Sequence, residues 1–440
     1  MPPSRLWPLG GPSPPSSLLQ KALITQRRDD DEWLPGNAKR GIGMEPAYQT
    51  CLVVVVGSLC LLAFFTSTST SMKSLSTNED DDDEGEEIFF DEKVGNTPMI
   101  EIRSLSEVTG CKIMAKMECR NPGGSGKDRP ALYMLRDMAQ RLHEQGFDAT
   151  KAQVVESTSG NTGISLAAIC QDLNLDLHIV MPDDQSIEKS RKLEALGAKV
   201  EVVANCSIAN AKHYVNEARR LASDRSRLAR GVHLNQFENL ANTMAHQEST
   251  GKELLKQCSN LDAFVMSAGT GGTIAGVSQL YSSKNQASDD IEKKATEIIL
   301  ADPQGSSLYH KVVNGVCYTP QQREQKQRKH RYDSIVEGVG LDRITANFDK
   351  ALIDSAESVS DQEMVDMAHW LLHKEGLFVS SSSALNLVAA LRVARRLGPG
   401  ATIATIVCEN GQRHLPRFWN PKYLDDRGLR WPEDVENLIL

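Results

Sequence analysis

The chain has 440 residues, of which 40% are hydrophobic, 24% charged and 5% aromatic, a composition that excludes collagen-like, coiled-coil and largely disordered proteins. Its formal charge is −9, but residues 1–93 hold 8 of the basic and 15 of the acidic side chains, so the rest is nearly neutral and offers no field for nucleic acid. Nine cysteines without a C-x-x-C pair read as reduced core thiols rather than a disulfide framework, and no metal site is expected.

Residues 1–45 are rich in Pro, Gly and Ser and read as a disordered extension. Residues 46–72 carry no charge, and their centre, 51–65, reads CLVVVVGSLCLLAFF. Fifteen helical residues span roughly 22 Å, short of a ~30 Å hydrocarbon core, but the flanks extend the run. A transmembrane anchor is expected, with residues 73–93 as an acidic linker. Met44 directly precedes the anchor; translation starting there would make it an N-terminal signal anchor. Lys39 and Arg40 before the run and acid after it place the N-terminus on the cytosolic side, whereas the reduced cysteines place the body in a reducing compartment. The second cue is preferred.

From residue 94 short apolar runs alternate with amphipathic stretches. Strands are expected over 112–118, 153–156, 178–181, 199–203 and 263–266, and helices over 129–145, 162–172, 186–196, 209–222 and 272–280. Such alternation implies an α/β fold with parallel sheets, here in two lobes, 94–240 and 241–425, followed by a tail, 426–440. Ligands of such sheets bind beyond the C-terminal ends of the strands. Residues 286–295 and 320–334 are polar and read as surface loops.

Four loops carry chemistry. The first, 121–129, reads NPGGSGKDR; Asn121 and Asp128 stand where a P-loop needs Gly and Ser/Thr, which leaves Lys127 as an amine nucleophile on a Gly-rich turn. The second, ESTSGNTG at 156–163, gathers Thr158, Ser159, Asn161 and Thr162 before a helix, donors that suit a small carboxylate. The third places Gly269, Thr270, Gly271, Gly272 and Thr273 between a strand and a helix; Ile274 spoils the dinucleotide fingerprint, and the pattern suits one phosphate monoester. The fourth, Ser380 to Ser383, follows an apolar strand, 377–379, and offers hydroxyls to a ring nitrogen.

Taken in order, NPGGSGKDR, STSGNTG, QFEN, GTGGT and SSSAL resemble the cysteine synthase and cystathionine β-synthase family of pyridoxal-phosphate enzymes, fold type II, over about residues 94–415, starting at VGNTPMIEI. The anchor, the insertion near Tyr318 and the stretch EGVGLDRITANF at 337–348 resemble the membrane-anchored cysteine synthase-like proteins of fungal mitochondria. The resemblance implies two parallel-sheet domains with the active site between them, pyridoxal 5′-phosphate as cofactor, and a homodimer anchored to the mitochondrial outer membrane with its catalytic body in a reducing compartment. It implies that Lys127 condenses with the cofactor and moves the substrate α-proton, that Gly269 to Thr273 hold the phosphate, and that Asn161 bonds the 3′-oxygen. Thr158, Ser159, Thr162 and Gln236 would bind the substrate carboxylate, and Ser382, or else Ser383, the pyridine nitrogen. A neutral hydroxyl there favours β-elimination over transamination. The implied activity is synthesis of cysteine from O-acetylserine, or a similar β-substituted alanine, and sulfide. Cysteine desulfhydration, a serine-using cystathionine synthase reaction and a non-catalytic membrane scaffold are the alternatives. Departures at Ser380, Ser381, Ala384, Leu240 and Gly126 bear on donor and nucleophile preference.

Overall fold

A computed structural model describes residues 93–435 and 438, apart from positions 159, 184, 186, 225–229, 288–294 and 319–333. The extension, the anchor, nearly all of the linker, and Ser159 lie outside the described residues. Residues 90–171 with 175–440 form one compact unit.

Among the described residues, ten strands form two sheets. Strands β1 (Met99–Glu101), β2 (Lys112–Met117), β7 (Ala263–Ser267), β8 (Glu297–Pro303), β9 (Ser355–Val359) and β10 (Thr402–Val407) make a six-stranded sheet in the order β1-β2-β10-β7-β8-β9. Only β1 runs antiparallel to its neighbour. Strands β3 (Ala152–Ser157), β4 (Asp176–Pro182), β5 (Lys199–Val203) and β6 (Arg230–His233) form an all-parallel sheet in the order β5-β4-β3-β6. Sequence order places residues 99–117 with the first lobe, whereas strand pairing joins them to β10 in the sheet that also holds β7.

Five helices position the site: α1 (Asp128–Glu144), α2 (Asn161–Asp172), α3 (Gly272–Ala287), α4 (Asp361–Glu375) and α5 (Ser381–Leu397). The large sheet is apolar on both faces, and the two-residue period of a strand sorts its side chains. Ala263 and Val265 of β7, Ile299 of β8 and Ile403 and Val407 of β10 pack with Val365 of α4 and Leu387 of α5. Phe264, Met266, Leu300, Ala404 and Ile406 pack on the other face with Ile274 and Val277 of α3.

The expected elements reappear with three main differences. The helix expected over 209–222 starts at Tyr214, because His213 caps it through Val215 N–H while the Asn216 side chain donates to the carbonyls of Ile208 and Asn210 and holds the preceding residues in turns. No strand forms at 377–379; Val379 makes one isolated bridge to Asn410, since only three residues separate Gly376, which caps the end of α4, from Ser380, which caps the start of α5. Helix α3 also continues through Gln286 and Ala287, shortening the loop expected there. The C-terminal tail docks on the body: Trp431 meets His369 edge-on with centroids 4.4 Å apart.

Strand β3 is buried throughout and ends in Glu156 and Ser157. Burial pushes the Glu156 carboxyl up to about 8, although the backbone N–H groups of Ser157, Gln236 and Asn235 favour its anion; its Oε2 has no partner among the described residues. The folded state therefore keeps a proton that the unfolded chain loses near the ordinary value of 4.5, and this group's contribution to stability falls as pH rises from there to about 8. Glu156→Gln, which cannot ionise, should gain stability relative to the parent between pH 6 and 9 (roughly the upper part of that window), read from urea midpoints; a constant difference across that range would refute the assignment.

Candidate active site

The site is built where parallel strands end. In the large sheet the adjacent strands β2, β10 and β7 lead to Lys127, to Glu409 and Arg413, and to Gly269–Thr273 respectively. In the small sheet the adjacent strands β3 and β6 lead to Thr158–Thr162 and to Gln236. These loops line one cavity of about 520 Å³. Lys127, Thr158, Asn161, Thr162, Gln236, Gly269, Thr270, Gly271, Thr273 and Ser382 all line it; Gly272 lies behind the wall.

Lys127 stands immediately before α1, its N–H bonded to Ser125 Oγ at 3.2 Å. Its loop is pinned from below and from the side. Gly126 N–H donates to Cys408 O at 3.3 Å, and Asp128 accepts from Gly123 N–H and from the Ser165 hydroxyl. Beneath lies a buried ionic network: Arg129 donates to both oxygens of Glu118 (2.7 and 2.8 Å) and to Glu253, and Lys116 pairs with Glu253 at 2.6 Å. Burial alone would raise the Glu118 carboxyl, but Arg129 holds it at about 2. The cavity has a second amine, Lys189, whose Nζ is 2.8 Å from Glu337. Lys127 has no carboxylate partner among the described residues, so it is the amine free to condense with a carbonyl.

The Gly269–Thr273 turn opens α3, a helix of 16 residues, whose first amides and dipole suit an anion. Its glycines are demanded by the protein itself. A Cβ on Gly269 would come 2.2 Å from Gly338 O, and one on Gly272 2.1 Å from Asn242 Oδ1. Gly271 has φ +86° and sits against Phe348. Asn242 Nδ2 donates to Thr270 Oγ1 at 2.9 Å, leaving that hydroxyl's own proton for an acceptor. Thr273 Oγ1 is 3.2 Å from His246 Nε2. Burial, and then Lys127, push His246 down to about 3, so it is a neutral ring.

At the second loop, Thr162 donates to Gln236 Oε1 at 2.7 Å and Gln236 Nε2 donates to Ser157 O at 2.9 Å, so the two expected carboxylate binders are locked together. Asn161 Oδ1 accepts from Arg413 at 2.6 Å. Of the four serines, Ser380 caps α5. Ser383 accepts from Cys408 N–H at 2.9 Å and donates to Glu409 O, and only Ser382 reaches the cavity.

The residues fit pyridoxal phosphate: one unpaired amine, one dianion cradle and one hydroxyl share a cavity of suitable size. Sequence reasoning missed the supports, namely Asn242, His246, the Glu118–Arg129 network and the cluster Glu409, Arg413 and His414. The bonds that bring them to the site span the chain, Asn242 reaching Thr270 and Arg413 reaching Asn161, and no local pattern announces them.

Residues 90–409 match the model of the family described as "Pyridoxal-phosphate dependent enzyme". "Cysteine synthase 2" of Schizosaccharomyces pombe is 47% identical over 346 residues, 76% of this chain and 84% of that protein. "Putative mitochondrial cysteine synthase" of Saccharomyces cerevisiae is 43% identical, covering 75% and 83%. Among solved structures, the "O-acetylserine dependent cystathionine beta-synthase from Helicobacter pylori" superposes with TM-score 0.60 at 30% identity, over 74% of this chain and 97% of that one. The chain therefore belongs to the fold type II family of pyridoxal-phosphate-dependent enzymes.

Proposed function

We propose that the protein makes L-cysteine from O-acetylserine, or a similar β-substituted alanine, and sulfide. The observation that carries this reading is the unpaired Lys127 amine in the same cavity as the Gly269–Thr273 turn; the cysteine synthase relatives, such as that of S. pombe at 47% identity, support the choice of reaction. When bound, the cofactor withdraws electrons from the substrate Cα, making its proton removable. Lys127 takes that proton and returns it after the β-substituent leaves and sulfide adds. Thr158, Ser159, Thr162 and Gln236 would hold the substrate carboxylate, Gln236 through the Nε2 hydrogen not given to Ser157 and Thr162 through its backbone N–H, since its hydroxyl proton goes to Gln236. Ser382 would serve the ring nitrogen as a neutral partner, and Asn161 would give an amide N–H to the 3′-oxygen.

The reading includes attachment to the mitochondrial outer membrane through residues 46–72, supported by the charge-free run in the sequence and by the name of the S. cerevisiae relative. Among the described residues no helix is long and apolar enough to cross a membrane. Two copies form the working unit, a reading supported by the exposed Leu240 and Met244 beside the site-bearing segments.

Purified holoenzyme should be yellow, and Lys127→Ala should lose the visible band and about 10³-fold or more of cysteine formation; a colourless parent protein would end the catalytic reading. Given O-acetylserine, serine and cysteine separately, it should use the first; sulfide released from cysteine alone would reverse the assigned direction. Ser382→Ala should alter the spectrum with little change in melting temperature, whereas Ser383→Ala should cost about 1–3 kcal/mol of stability by stranding Cys408 N–H; the opposite pattern would exchange their roles. Alkaline extraction of mitochondria should leave the full chain in the membrane pellet, and its release to the supernatant would remove the anchor.

A further inference from the structure

Arg413 follows β10 and is largely buried, with 17% of its side chain exposed. A buried guanidinium beside a carboxylate ordinarily takes it in a bidentate grip. Arg413 does not. Its Nη1 lies 3.7 Å from Glu409 Oε2, and that oxygen has no hydrogen-bond partner among the described residues. The donors go instead to two neutral oxygens: Nη1 to Asn161 Oδ1 at 2.6 Å and Nη2 to Gly123 O. Gly123 belongs to the loop of Lys127, and Asn161 starts α2 on the small sheet. One rigid fork thus spans the two loops that carry the condensing amine and the 3′-oxygen partner. Gly124, at φ +84°, leaves room for it, since a Cβ there would sit 3.0 Å from Arg413 Nη2.

The same contact settles which end of Asn161 is free. With Oδ1 taken by a cation, the remaining group is the NH2 donor. Burial would raise the neighbouring Glu409 carboxyl, but His414, Arg413 and the nearby Asn161 amide bring it to about 2; the anion draws one amide hydrogen toward itself and leaves the other for the cavity. The other charged groups near Arg413 are Asp128 and Lys192, and His414 reaches it through Glu409 at 2.9 Å.

We propose that Arg413 is a positioning residue that sets the Asn161 amide donor toward the cofactor's 3′-oxygen and fixes its distance from Lys127. This rests on the role proposed above for Asn161. Losing a donor at that oxygen favours the form protonated there, which absorbs in the near ultraviolet instead of the visible.

The test is a double-mutant cycle on the holoenzyme, read by absorbance against pH, with melting temperature alongside. Asn161→Ala and Arg413→Gln should each shift the visible-to-ultraviolet titration midpoint in the same direction by about one pH unit, and the double variant no further than Asn161→Ala alone. Arg413→Lys guards against a Gln variant that does not fold: it keeps the charge, but one ammonium cannot hold both oxygens, so it too should shift the midpoint. A lowered melting temperature with an unmoved midpoint, or additive shifts, would overturn the proposal and leave Arg413 as a brace. An unmoved midpoint in Asn161→Ala would instead overturn the role of Asn161 itself.

Discussion

Parallel pairing is the constraint from which the site follows. Strands that run in the same direction deliver their exits to one edge, and β2, β10 and β7 are neighbours in the sheet although paired positions lie 290 residues apart for β2 and β10 and 140 for β10 and β7. Their exits carry Lys127, the Arg413 fork and the Gly269–Thr273 turn. The smaller sheet repeats the device with β3 and β6. No single segment contains the chemistry, and any register slip in β10 would move the middle exit relative to both neighbours.

A flexible amine also needs a firm base, and the base is ionic. Glu118, Arg129, Glu253 and Lys116 alternate in sign and satisfy one another beneath the Lys127 loop. Such a network adds little net stability over an apolar replacement, but removing one member strands a buried charge at a cost of about 3–5 kcal/mol. Its service is geometric: Arg129 is fixed by four donors two residues beyond Lys127, so the start of α1 cannot rotate without breaking it.

Much of this was legible in the sequence. The alternation of runs predicts β5 over 199–203 without error and α1 to within one residue, because period and length decide those elements locally. The four loops announce themselves through Gly, Ser and Thr in excess of what a turn uses. The start of the helix at Tyr214 was not legible, since it depends on where the Asn216 side chain finds carbonyls. The preference for Ser382 over Ser383 rests on resemblance; the bond that occupies the Ser383 hydroxyl comes from Cys408, 25 residues further along, and no local pattern shows it. Arg413 is 252 residues from Asn161; only the folded chain shows that they meet.

The turn at Gly269–Thr273 has its shape imposed by Gly338, Phe348 and Asn242, groups of the polypeptide itself. The entropy of ordering it is thus spent during folding. The loop behaves as a mould cast by the surrounding polypeptide, and drift at any of those three neighbours would relax the demand for glycine and blur the mould together.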